Sequence, residues 1–179
     1  CAGADRPSMS AEHDQLSRRL ATTTSIAACA QLVCDHLVAL GYPLISIYLC
    51  RSDRLRCFAA SGYSQVLDGF PPVAGVISAT VRTGQAHAID VALSHVYLKA
   101  APSVVAEVCV PIKVAGSSIG ALNIESPTPL GPEALRLAGE CSDLFARRLV
   151  ELGGLPTPTG WMYLADQATR VVQIEDPDR

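Results

Sequence analysis

The segment from residue 104 to residue 126, VVAEVCVPIKVAGSSIGALNIES, constrains the fold more than any other stretch of this chain. It is typical of two strands joined by a tight turn at Gly116, and the side chains of its first arm alternate between two faces. One face is apolar throughout: Ala106, Val108, Val110, Ile112 and Val114. The opposite face holds Val105, Glu107, Cys109, Pro111 and Lys113. We predict that helices cover the first face and that Glu107 and Cys109 look toward an enclosed space, since a carboxylate on an apolar sheet indicates a pocket or a covered surface.

Composition limits the classes of protein that this chain can belong to. Its 179 residues fit one domain with short appendages, and 49% hydrophobic against 17% charged residues predicts a substantial core. The net charge of -3 and the lack of a lysine or arginine run argue against nucleic acid and anionic membranes as partners. The apolar runs are too short to span a bilayer.

The seven cysteines are odd in number and contain no C-x-x-C pair. They are Cys1, Cys29, Cys34, Cys50, Cys57, Cys109 and Cys141. This usage is typical of reduced thiols, so we predict a cytoplasmic protein. Because the chain opens on Cys1 and not on Met, we expect its natural N-terminus to be trimmed or absent.

The remaining periodicities predict an α+β domain. Two helices, from Ser10 to about Leu20 and from Ser25 to about Leu40, precede a hairpin over 44–61. A short helix closed by Gly84, a strand ending at Asp90 and an irregular covering segment lead to the 105–126 hairpin and a helix over 131–152. We predict four segments: a leader 1–9, a domain 10–152, a linker 153–160, and an arm or the start of a further domain at 161–179.

The first predicted helix has a narrow apolar stripe of Leu16 and Leu20. Such a stripe is too small to hold a helix alone, so it must dock on another surface. We predict that a twofold-related copy covers it and that the chain is a homodimer through its terminal helices.

The element order, together with GVISATVRTGQAHAIDV, Tyr97 and EVCVPIKVAGSSIGALNIES, resembles the GAF domain family over about residues 20–150. The resemblance implies a GAF-like (profilin-like) antiparallel sheet of five or six strands, with the terminal helices on one face and covering loops and short helices on the other. It further implies a module that binds a small molecule between the sheet and its covering segments, or dimerises, and controls an attached output domain. Neither the ligand nor a cofactor is identified by it.

The subfamilies make different demands on the residues. Resemblance to free methionine-R-sulfoxide reductases would imply two cysteines near the pocket, but the corresponding positions are occupied by GVISAT and KAAPSVV. Bilin-binding members carry a Cys-His pair, which is missing, and a haem-binding member would use a histidine such as His87 or His95. No phosphate loop or other catalytic motif is present, so we predict that the chain is not an enzyme.

Candidate pocket residues follow from the alternation and from the aromatic side chains. They are Tyr48, Phe58, Tyr63, Phe70, Asp90, His95, Tyr97, Glu107 and Cys109. Each has a structural alternative: Glu107 can accept hydrogen bonds from the covering loop, Asp90 can cap a turn, and each aromatic ring can fill core.

Three functions therefore stay open at this point. The favoured hypothesis is a non-enzymatic, ligand-sensing regulatory domain of an intracellular signalling protein. A structural dimerisation module whose pocket is filled by its own side chains is the second, and a free methionine-R-sulfoxide reductase is the third.

Overall fold

The structure, a computed structural model, describes residues 9–91 and 103–153. Four helices and five strands lie in these ranges. In chain order they are α1 (Met9–Thr22), α2 (Ile26–Ala39), β1 (Leu44–Arg51), β2 (Arg54–Ser61), α3 (Val76–Thr83), β3 (His87–Asp90), β4 (Ala106–Val114), β5 (Ser117–Ser126) and α4 (Pro132–Glu151). The predicted α+β class and element order are confirmed. Helix α1 includes Met9, so Ser10 lies inside the helix instead of capping it.

The described strands form one antiparallel sheet in the order β2-β1-β5-β4-β3. Both hairpins turn through two residues with positive φ, Ser52 and Asp53 in one and Ala115 and Gly116 in the other. This backbone geometry suits the right-handed twist of the flanking strands. The turn predicted at Gly116 is confirmed. The strand order places β5 in the centre of the sheet.

The ends of the helices follow from local sequence. Ser25 has extended backbone angles and its hydroxyl accepts a hydrogen bond from the amide of Ala28 at 3.4 Å, which caps α2. Gly84 ends α3 with a left-handed backbone (φ 64°), a conformation that favours glycine. Both boundaries agree with the sequence prediction.

The two faces of the sheet differ as the alternation predicts. Val108, Val110 and Ile112 of β4 are buried in a core that includes α1, α2 and α4. Cys109 lies between Val108 and Val110 in the sequence, and it belongs to a smaller cluster on the opposite face with Val76 and Val81 of α3. We call these the helix-side core and the cavity-side cluster. The predicted division of β4 into two faces is therefore confirmed, but Cys109 packs against α3 and does not look toward an enclosed space as predicted.

Helix α1 docks within its own chain. Leu16 and Leu20 are only 1% and 2% exposed because α1 packs against α2 and α4. The guanidinium of Arg148 on α4 also donates two hydrogen bonds, of 2.9 and 3.1 Å, to the carbonyl oxygen of Thr23 between α1 and α2. The expectation that a second copy covers this stripe is thus wrong. The argument for a homodimer no longer has this support, and the homodimer stays a prediction.

Helices α1 to α4, as far as the structure describes them, include none that is long and apolar enough to cross a membrane. The predicted leader lies outside the described residues except for Met9, and the predicted linker and arm lie outside them from residue 154 onward. These boundaries stay predictions.

Candidate binding site

A cavity of about 370 Å³ lies between the sheet and the segment that follows β2. Its outer wall comes from residues 62–75, which we call the covering segment, and from the start of α3. Gln65, Leu67 and Ala74 line the cavity and are exposed, so they form its mouth. A volume of this size suits a compact organic molecule.

The inner wall of the cavity is polar and comes from three neighbouring strands. Ser46 of β1 lies opposite Asn123 of β5, and Glu125 of β5 lies opposite Glu107 of β4. These four side chains are 1–3% exposed and all line the cavity. Strand alternation places Asn123 and Glu125 on the same face, because they are two residues apart. We call this set the polar floor.

Two acceptor atoms of the polar floor have no hydrogen-bond partner. They are Oε2 of Glu107 and Oδ1 of Asn123. Buried polar atoms without a partner are uncommon in proteins and each one costs free energy. Both residues line the cavity, so the polar floor has unused capacity to accept hydrogen bonds.

Among the residues of the polar floor, Glu107 is the one whose pKa shift changes its protonation near neutral pH. Burial, the neighbouring Glu125 carboxyl group and, in the opposite sense, a hydrogen bond from Asn123 together raise the pKa of Glu107 to about 8. Desolvation is the largest of these causes and disfavours the charged form. Glu107 is thus mostly protonated at pH 7 while the cavity holds no cation.

The covering segment is fastened near its start and again in its middle. Tyr63 donates a hydrogen bond of 2.6 Å to Oε2 of Glu125. In the middle of the segment, the backbone of Leu55 exchanges hydrogen bonds with Gly69 and Phe70, at 2.9 and 2.8 Å. Asp68 accepts a hydrogen bond from the amide of Cys57 and pairs with Arg56. These contacts hold the outer wall at a fixed distance from the floor.

The remaining wall is apolar. The rings of Tyr48 and Phe70 meet edge to face with centroids 5.4 Å apart. The hydroxyl of Tyr48 donates to the carbonyl oxygen of Leu67, so the ring stays in contact with the cavity while its polar end is satisfied. Val66, Val76 and Ile77 complete this surface. The cavity therefore combines an apolar wall with a floor of acceptors.

The structure brings together only part of the predicted set of site residues. Tyr48, Tyr63, Phe70 and Glu107 line the cavity. Phe58 is not among the described lining residues; it packs against the helix-side core and lies 5.7 Å from the guanidinium of Arg51.

Cys109 and Asp90 lie outside the described cavity wall for different reasons. Cys109 faces the same side of the sheet as Glu107, but α3 covers it in the cavity-side cluster. Asp90 is exposed at the end of the edge strand β3. His95 and Tyr97 fall outside the described residues. Whether any of the candidates binds a ligand stays a prediction.

Sequence reasoning missed most of the polar floor, namely Ser46, Asn123 and Glu125. The signal was available, because Asn123 and Glu125 alternate with Leu122 and Ile124 in the second arm of the hairpin. The two-face argument made for β4 applies equally to β5. The apolar wall from residues 65–67 and 74–77 had no comparable signal, since these residues lie mainly in a loop without periodicity.

None of the described thiols is among the residues that line the cavity. Six cysteines are free, and five of them are buried. Burial raises the pKa of Cys34, Cys50 and Cys141 to about 12 and raises that of Cys109 as well. Such thiols hold their protons at neutral pH and are poor nucleophiles. No group of three or more His, Cys, Asp or Glu side chains converges as a metal site within 9–91 and 103–153.

Comparison with solved structures finds both free methionine-R-sulfoxide reductases and GAF domains of other proteins with this fold. The chain is similar to a free methionine-R-sulfoxide reductase from Neisseria meningitidis in complex with its substrate (TM-score 0.73, 20% identity, 83% of this chain and 93% of that one). It is similar to a type II free methionine-R-sulfoxide reductase from Thermoplasma acidophilum (TM-score 0.66, 22% identity, 76% of this chain and 96% of that one). It is also similar to the GAF domain of an Acinetobacter phosphoenolpyruvate-protein phosphotransferase (TM-score 0.66, 15% identity, 81% of this chain and 96% of that one).

These likenesses correct one sequence prediction. The absence of catalytic motifs was the reason for predicting that the chain is not an enzyme, yet structures of the same fold include free methionine-R-sulfoxide reductases. Missing motifs of other enzyme classes therefore exclude nothing for this fold, and the prediction is withdrawn. At identities of 15–22% the likeness itself establishes the fold and not the activity.

The family is settled by the sequence itself. A comparison with curated protein sequences found no match. The model of the GAF domain, in contrast, matches residues 18–149, which include every described strand, α2, α3 and nearly all of α4. The architecture expected from the resemblance is present in the structure, and the chain belongs to the GAF domain family.

Proposed function

We propose that this GAF domain is a regulatory module that binds a small organic molecule in the cavity between its sheet and its covering segment. The observation that carries the proposal is the cavity of about 370 Å³ whose buried floor leaves Glu107 Oε2 and Asn123 Oδ1 without partners. A domain whose pocket is filled by its own side chains would have neither feature. The predicted cytoplasmic location agrees with this role and stays a prediction.

The sheet offers a route from the cavity to the terminal helices. Glu107 lines the cavity, while its neighbours Val108 and Val110 on the same strand lie in the helix-side core. Ser142 of α4 donates a hydrogen bond of 2.9 Å to the carbonyl oxygen of Pro111. A ligand that stiffens β4 would thus change the strand on which α4 packs, and would shift the helices between populations.

The test uses a matched pair of tryptophan variants at the mouth. Ala74 lines the cavity and is exposed, whereas Val73 is 71% exposed and is not among the described lining residues. We expect a compound found in a thermal-shift screen to raise the melting temperature of the wild type and of Val73→Trp, but not of Ala74→Trp. A stabilising compound that acts equally on both variants would place its site elsewhere and contradict the proposal.

A second candidate is reduction of free methionine sulfoxide, favoured by the likeness to the two reductases described above. In that reaction the sulfoxide oxygen leaves as water, and two electrons come from an added dithiol, which becomes a disulfide. The measurement is methionine formed with dithiothreitol as reductant. Turnover that is lost in Ala74→Trp and kept in Val73→Trp would establish the enzyme, and no turnover above the dithiol background would remove it.

A further inference from the structure

The polar floor contains three acceptor side chains and no positively charged group among the described residues that line the cavity. Glu107 and Glu125 face each other across β4 and β5, and the amide oxygen of Asn123 is a third acceptor. The hydroxyl of Tyr63 already donates to Glu125. Among the described residues that line the cavity there is no lysine, arginine or histidine.

When Glu107 ionises, its positive complement has to come from the ligand, because no described residue that lines the cavity is cationic. A carboxylate that is 3% exposed is costly unless a positive group or several N–H donors pair with it. Ammonium, amidinium and guanidinium groups carry only donors, and the planar ones can reach two acceptors at once.

We propose that the ligand of this cavity is a compact organic cation whose ammonium, amidinium or guanidinium group donates hydrogen bonds to Glu107 Oε2 and Asn123 Oδ1 while its apolar part contacts Phe70 and Val76. This inference rests on the proposed function, because it assigns the class of ligand to the same cavity. It explains both orphaned acceptors with one bound group.

Binding of such a cation is coupled to a proton. Glu107 faces Glu125 of β5, Tyr63 of the covering segment and Cys109 of its own strand. Among the described lining residues, Val76 and Ile77 of α3 and the preceding Gly75 carry no titratable group. The pKa of Glu107 is about 8 in the empty cavity, so a cation binds the minor, ionised form at pH 7. The apparent affinity then rises about tenfold between pH 7 and pH 9.

The experiment compares cations with neutral molecules of the same shape. Benzamidinium and phenethylguanidinium are set against benzamide and phenethylurea, with chemical shifts of the protein's amides as the readout at millimolar ligand. We expect the cations to bind and the neutral molecules to bind at least tenfold more weakly. Ala74→Trp should abolish the shifts and Val73→Trp should not, which ties the binding to the cavity.

Variants then test the contact itself. Glu107→Gln should weaken cation binding at least tenfold and remove its pH dependence, whereas Asp143→Asn, an exposed carboxylate on α4, should change neither. Calorimetry in buffers of different ionisation enthalpy should show about one proton released per cation at pH 7 in the wild type. The affinity of the wild type for the cations, measured from pH 7 to pH 9, tests the same contact without any substitution.

The outcomes separate the two proposals. If the neutral molecules bind the cavity as well as the cations do, the ligand class is wrong and the binding function stands. If the cations bind equally to Glu107→Gln, or their affinity is flat from pH 7 to pH 9, the contact is overturned. If no molecule of either kind shifts the amides that line the cavity, this assignment fails, while the screen with the Ala74 and Val73 variants still decides the binding function.

Discussion

The two faces of the sheet differ in what their buried side chains do: one face packs an apolar core, and the other lines a cavity. On the helix side, residues such as Phe145, Leu122 and Val108 are at most 1% exposed and pack into a continuous apolar core. On the cavity side, the buried positions of the same strands include Glu107, Asn123 and Glu125. The helix face holds the domain together, and it thereby permits the other face to retain a void and unpaired acceptors that reduce stability.

The largest expected effect tests where the stability resides. Phe145→Ala removes a fully buried ring from the helix-side core and should reduce the free energy of unfolding by about 3–5 kcal/mol. Phe70→Ala removes a half-buried ring from the cavity wall and should cost less than half as much. Urea unfolding monitored by circular dichroism gives both values. Equal losses would mean that the two faces contribute alike and would break the comparison.

A second prediction concerns the pH dependence of stability that the polar floor creates. The pKa of Glu107 is raised by burial to about 8, above its ordinary value of 4.5, so the folded state holds this proton more tightly than the unfolded state does. Its contribution is therefore fully present below pH 4.5 and is lost as the pH rises through 8. Relative to Glu107→Gln, the wild type should lose a few kcal/mol over this range.

The measurement for Glu107 is the melting temperature of both proteins between pH 5 and pH 9. Their difference should change steadily in favour of Glu107→Gln as the pH rises, by several degrees in total. Asp143→Asn serves as the control, because this exposed carboxylate lies on the outer surface of α4. A difference that stays constant with pH would show that Glu107 ionises normally.

The helix side was largely predictable from the sequence, whereas the cavity side was predictable only in part. Periodic spacing in α2 and α4 and the alternation in β4 identified the apolar faces, because each regular element repeats its pattern over several residues. The same reasoning placed Glu107 correctly. Phe58 was proposed for the pocket only because it is aromatic, and that choice was wrong. The pairing of β1 with β2 shifts register between Ile47 and Tyr48, and such an irregularity changes the face that a side chain occupies.

The covering segment limited the prediction for another reason. Its position depends on long-range contacts such as Tyr63 to Glu125 and Asp68 to Arg56, which join residues far apart in the chain or in different elements. Nothing in the local pattern of 62–75 specifies them. Likewise, the stripe of Leu16 and Leu20 correctly predicted that α1 docks, but not that α2 and α4 of the same chain receive it.

The smallest expected effect concerns the fastening of the cavity's outer wall. Tyr63→Phe removes the hydroxyl that donates to the buried Glu125 at 2.6 Å, and should reduce the free energy of unfolding by about 1–3 kcal/mol. Because this bond holds only one end of the covering segment, amide hydrogen exchange should rise near residue 63 and change little at Gly69 and Phe70. Tyr42→Phe is the matched control, since that ring packs on the helix-side core. If both substitutions cost the same and leave exchange near residue 63 unchanged, the hydroxyl of Tyr63 does not fasten the segment, and the wall is held by the contacts of β1 and β2.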